Sequence, residues 1–170
     1  LLFFYFYNKR LKFKFSELVY LLILIAIMIT ITDQTANLFK DSFQRLRPCY
    51  NELIKDSLRL VKDSCGGKYG FFSAHASNSF TLAVFFGLLY KKKFRYLIYI
   101  SLLYASLISY SRIYLGVHFP LDLIFGSTFG IIVGIITFIA LIIILDTFES
   151  PLSSKFPRLE LLLYNFFETI

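Results

Sequence analysis

The chain has 170 residues, of which 57% are hydrophobic and 19% aromatic, and only 17% are charged. Ordinary soluble domains are less apolar and more charged, so composition argues against a water-soluble globule and for a membrane protein. The formal net charge of +7 is clustered at the ends of apolar runs, which fits membrane topology better than nucleic-acid binding.

Taken in order, "LLFFYFY" opens the chain without a Met and reads as the tail of a partial helix, with the natural N-terminus missing. No signal peptide is visible. A basic block follows at Lys9, Arg10, Lys12 and Lys14. About 20 apolar residues are needed to cross the hydrocarbon, and the first full span is expected over 18–39. Asp33 and Asn37 lie inside it and read as polar packing near its outer boundary. Residues 40–73 form a loop with seven Lys or Arg against four acids. In that loop "ELIKDSLRLVKD" suggests a short helix with Lys55, Arg59 and Lys62 on its wet face. Cys49 and Cys65 are the only cysteines. In an oxidising compartment they are expected to pair, stabilising the loop by about 3 kcal/mol. They give no zinc signature.

Further spans are expected over 74–90, 94–110 and 121–145, with a second basic block at Lys91, Lys92, Lys93 and Arg95. Short basic loops favour the cytoplasm. Both blocks are therefore placed there, and the 40–73 loop and the 111–120 turn on the opposite side. Gly126, Gly130 and Gly134 recur every four residues, a pattern that lets another helix approach closely. The tail, 147–170, suits an interfacial helix on the cytoplasmic side. The fold class is thus an all-α integral membrane helix bundle in one domain, 1–170.

Three polar clusters fall on the same expected side, each at a span boundary: "KDSFQRLRP" with Lys40 and Arg47, "FFSAHAS" with Ser73 and His75, and "SRIYLGVHFPLD" with Arg112, His118 and Asp122. Ionisable groups at such depth usually mark function. Lys40, Arg47 and Arg112 supply charge and guanidinium forks for phosphate. Ser73 suits an N-cap, and the helix it opens offers its N–H groups to an anion. There is no Walker loop and no acidic cluster for Mg²⁺, so the chemistry falls to side chains and no cofactor or metal is expected. His118 is the candidate nucleophile, oriented by Asp122 four residues on. His75 is the candidate general acid and then base.

These motifs resemble those of the type 2 phosphatidic acid phosphatase superfamily: Lys-x6-Arg-Pro at 40–48, Ser-x-His at 73–75 and Ser-Arg-x5-His-x3-Asp at 111–122. The second departs from the usual Pro-Ser-Gly-His, with Phe72 for the proline and Ala74 for the glycine. The resemblance implies a six-helix membrane fold, of which this chain holds about four helices and part of a fifth. It also implies metal-independent phosphatase activity through a phosphohistidine. By matching position it assigns phosphate binding to Lys40, Arg47, Ser73, the Ala74 backbone and Arg112, and catalysis to His75, His118 and Asp122. The expected partners are membrane lipids and a lipid phosphate substrate, on the outer face of a bacterial inner membrane. The oligomeric state is not readable. Undecaprenyl diphosphate is the first substrate expectation. Lipid A, phosphatidylglycerol phosphate or phosphatidic acid is the alternative. A vanadate haloperoxidase-like enzyme and a lipid transporter with a relic site are rivals, disfavoured by the apolar spans and by the intact His118/Asp122 pair respectively.

Overall fold

The computed structural model describes residues 15–58, 61 and 65–149. The expected first partial helix, the tail beyond 149, Arg59 and Lys62 lie outside them. The described elements are helix α1 (Phe15–Phe43), short 3-10 turns at Pro48–Tyr50 and Lys55–Ser57, then α2 (Ala74–Leu89), α3 (Leu97–Tyr114) and α4 (Pro120–Glu149). Among the described residues the only β pairing is an isolated bridge between Leu46 and Tyr69. The helix expected over 52–63 is in its described part only the turn Lys55–Ser57.

Among the described residues, three helical stretches are long and apolar enough to span a membrane: Leu18–Phe43, Leu97–Tyr114 and Pro120–Ile144. The third span begins later than expected. Residues 90–96 are spent on the turn between α2 and α3, where Lys93 and Phe94 N–H groups both return to the Tyr90 carbonyl. Helix α2 is shorter than a full span. Its 16 residues rise about 24 Å at 1.5 Å each, against roughly 30 Å of hydrocarbon. The shortening has a local cause at each end. Ser73 caps the start, its Oγ accepting from the Ala76 N–H at 3.4 Å, and the Tyr90 turn ends it. Helix α3 leaves Tyr99, Leu103, Tyr104, Tyr110 and Tyr114 more than 60% exposed. Such an apolar face suits lipid rather than water.

The chain divides into two compact units. In the described parts of the first, 15–26 and 139–149, Leu21, Leu141 and Ile142 are buried. The second, Ile27–Phe138, holds every candidate site residue, and its packing explains their placement. The glycines of α4 meet the backbone of α2 directly. A Cβ on Gly126 would lie 2.6 Å from the Ser73 carbonyl oxygen, and one on Gly134 would lie 2.8 Å from that of Thr81. Between them Gly130 abuts the Ser77 carbonyl, and the Thr81 hydroxyl donates to the Gly130 carbonyl at 2.9 Å. This is the close helix approach that the four-residue glycine spacing predicts. Helix α1 joins α2 through polar groups, with Thr32 bonded to Asn78. An aromatic layer lies beside them. Phe72 is buried, its ring centroid 5.2 Å from that of Phe39 and 5.4 Å from that of Phe129. The residue that departs from the family proline therefore serves as a core plug.

Candidate active site

The turn between α3 and α4 is built from its own sequence. Helix α3 ends in a Schellman motif. The Val117 N–H returns to the Arg112 carbonyl at 3.2 Å and the Gly116 N–H to that of Ile113 at 2.8 Å. The motif requires a left-handed residue, and Gly116 supplies it at φ 68°. Four residues later Pro120 opens α4 with its missing N–H at a position that needs none. Asp122, in the first turn, bends back and its Oδ2 accepts from the Phe119 N–H at 2.9 Å. That half of a capping box brings the carboxylate to His118, whose Nδ1 lies 3.4 Å from the same oxygen. Both groups are buried, Asp122 at 1% exposure.

A buried carboxylate needs charge or donors around it. Asp122 finds them in the Phe119 N–H and in a residue the sequence motifs do not single out. Arg45 Nη1 sits 2.9 Å from Asp122 Oδ1, and its guanidinium carbon lies 4.5 Å from the Phe119 ring centroid. The one available signal is the alternation in "RLR". In extended chain, residues two apart point to the same side, so Arg45 accompanies Arg47 toward the site. Its partner, 77 residues away, is not readable from that pattern.

Arg47 is anchored by the loop between α1 and α2. Its Nη1 donates to the Cys65 carbonyl at 2.8 Å and its Nε to that of Tyr69 at 3.1 Å. Cys49 and Cys65 are joined as a disulfide in the structure, with Cα atoms 6.4 Å apart. Arginine has five donors, so this anchoring leaves others for a ligand. Gly70 packs over His118 and Asp122: a Cβ there would lie 3.5 Å from Asp122 Oδ2 and 3.6 Å from His118 Nδ1.

One cavity of about 390 Å³ gathers the remaining groups. Lys40, Arg47, Ala74, His75, Arg112 and His118 all line it, as do Asp33 and Asn37. Lys40 Nζ donates to Asn37 Oδ1 at 3.1 Å. Ser73 and Asp122 stand behind this wall. Ser73 is fully buried with its hydroxyl engaged in capping, and its N–H donates to the Asp122 carbonyl at 3.1 Å, which pins the start of α2 to the start of α4. Burial lowers the His118 pKa below the ordinary histidine value. The Arg47 and Lys40 charges act in the same direction, and the Asp122 contact pulls the other way. A neutral imidazole with Nδ1 facing a carboxylate has Nε2 free as a nucleophile. Burial also lowers the Arg47 pKa, although a guanidinium keeps its charge at any ordinary pH. Among the described residues no group of three or more His, Cys, Asp or Glu is arranged as a metal site.

An all-helical membrane chain with three cations and two histidines around one cavity, and an aspartate behind one histidine, defines a class of phosphate-handling sites. The chain belongs to the PAP2 superfamily, whose family model matches residues 17–142. Its relatives include a lipid A 4'-phosphatase of Porphyromonas gingivalis, 38% identical over 134 residues, which are 78% of this chain and 54% of the relative. A lipid A 4'-phosphatase of Bacteroides thetaiotaomicron is 43% identical over 104 residues, 60% of this chain and 45% of the relative. The chain spans about half the length of these curated relatives. No solved structure matches it.

Proposed function

We propose that this chain carries the catalytic site of a membrane phosphatase acting on lipid A, with its 4'-phosphate as the target. The observation that carries the substrate reading is that both of these relatives are named for that reaction. It favours lipid A over undecaprenyl diphosphate, the first expectation from the motifs, which are shared by enzymes of several lipid phosphates.

The geometry supports a two-step reaction. Lys40, Arg47 and Arg112 hold the phosphate oxygens, and the N-terminus of α2 adds the Ala74 backbone. The lone pair on His118 Nε2 attacks phosphorus and the bond to the sugar oxygen breaks. His75 gives that oxygen its proton. The phosphoimidazolium is stabilised by Asp122, whose charge Arg45 holds in place. Water then attacks phosphorus, yielding a proton to His75 as the P–N bond breaks, and inorganic phosphate leaves. On this reading the site faces outward from a bacterial cytoplasmic membrane, as the basic blocks at 9–14 and 91–95 suggest.

Phosphate release from a panel of lipid A, undecaprenyl diphosphate, phosphatidylglycerol phosphate and phosphatidic acid tests the proposal. Lipid A is expected to be turned over fastest, with activity persisting in EDTA and falling by about 10³-fold or more in His118→Ala. Turnover surviving in that variant, or a clear preference for another lipid, overturns it.

A further inference from the structure

One group in the cavity has no part in this chemistry. Asp33 places a carboxylate in the wall of a site otherwise built for an anion. Electrostatically it opposes the phosphate, and an ionisable group within a membrane span is expensive. Asp33, Asn37 and Lys40 are spaced four and three residues apart, so they share one face of α1. Asp33 lies about 10 Å along the helix from Lys40 at 1.5 Å per residue, on the side of the apolar interior. It is exposed within this wall, and Asn78 Nδ2 donates to its Oδ1 at 3.0 Å. Asn78 follows His75 by three residues on α2, and the Thr32 contact holds it from behind.

A lipid whose phosphate occupies the cradle sends its next atoms past Asn37 and Asp33 toward the hydrocarbon. A polyprenyl diphosphate presents its second phosphate, which a carboxylate repels, and then only carbon. A diacylglycerol presents ester oxygens, which are acceptors and gain nothing from a carboxylate. An acylated amino sugar presents hydroxyl and amide N–H donors, which a carboxylate and a side-chain amide suit. We infer that Asp33 and Asn37 form a subsite that reads hydrogen-bond donors on the headgroup carrying the phosphate, and so selects phosphorylated sugar lipids over donor-free lipid phosphates. The inference rests on the phosphate being bound as proposed above.

The test is the ratio of kcat/KM for lipid A to that for phosphatidic acid, measured on the full-length protein in detergent. Asp33→Asn keeps the side chain's shape and an oxygen for Asn78 but removes the charge. The ratio is expected to fall about tenfold, the size of one charge-assisted hydrogen bond lost, with most of the change in KM for lipid A. Asn37→Ala leaves the Asp33–Asn78 bond in place and is expected to move the ratio in the same direction, which keeps the inference open to test where Asp33→Asn misfolds. Parallel losses on both lipids, with a lowered thermal midpoint, mean that Asp33 is only an interhelical packing group and overturn the inference while the proposed function stands. Wild-type protein that hydrolyses phosphatidic acid but not lipid A overturns the functional reading and the inference with it.

Discussion

Arg45 is separated from the candidate site's cavity by the His118/Asp122 pair, which makes its effect separable from binding. It does not line the cavity, yet it holds one oxygen of the carboxylate whose other oxygen faces His118. Arg45→Gln is expected to lower kcat about tenfold with a smaller change in KM, and to lower stability by about 1–3 kcal/mol by leaving a buried acceptor short of a partner. In an Asp122→Asn background the same change is expected to cost little more in kcat. Full additivity in that double-mutant cycle refutes the linkage. The direction of the His118 shift fixes a second outcome. Its neutral form persists below the ordinary histidine value of about 6.5, so the acid limb of kcat/KM, which reports the free enzyme, is expected below that pH. Asp122 pulls the His118 pKa upward. Asp122→Asn should therefore move the limb to still lower pH even as the rate falls, and a limb moving upward contradicts the assignment.

At the scale of elements, the site depends on where helices stop and how closely two of them meet. The motif spacing made Lys40, Arg47, His75, Arg112, His118 and Asp122 readable because each is anchored by local rules: a proline, a cap, a helix end. Capping at Ser73 and the Pro120 start were legible for the same reason. Arg45 with Asp122, and Asp33 with Asn78, were not, because each pair joins segments distant in sequence and a single chain carries no record of register between helices. The end of α2, by contrast, was legible, since Lys91, Lys92 and Lys93 stop the apolar run and the span expected over 74–90 exceeds the helix by one residue. The glycine stripe was legible as a packing surface, but its partner was not. That partner is the stretch of α2 from its cap Ser73 to Phe85. Gly130→Ala is expected to destabilise the protein by about 1–3 kcal/mol through overpacking, and to lower kcat by parting His75 from His118. Thermal unfolding and kinetics on one preparation check both, and wild-type values in both measurements count against the packing account.

Over the whole molecule, the loop between α1 and α2 and the helices line one cavity between them. The loop contributes Arg47 together with the Cys65 and Tyr69 carbonyls that orient it. Cys49→Ser and Cys65→Ser are each expected to cost about 3 kcal/mol of stability, as for a closed loop of this size. Both should raise KM more than they lower kcat, because the loosened group, Arg47, is proposed to bind phosphate and not to attack it; an equal effect on the two constants counts against this division. Helix α2 contributes His75 and the turn leading into α4 contributes His118, and the gap between those histidines depends on something no side chain can adjust. Across the α2–α4 contact a hydrogen atom is the spacer, and what it faces is carbonyl oxygen belonging to the main chain itself. A bulkier residue in a side-chain interface can be forgiven by trimming its neighbour. Here there is no neighbour to trim. Suppressors of substitutions at Gly126 or Gly130 are therefore not to be found in side chains opposite them, but in changes that let one helix shift as a whole.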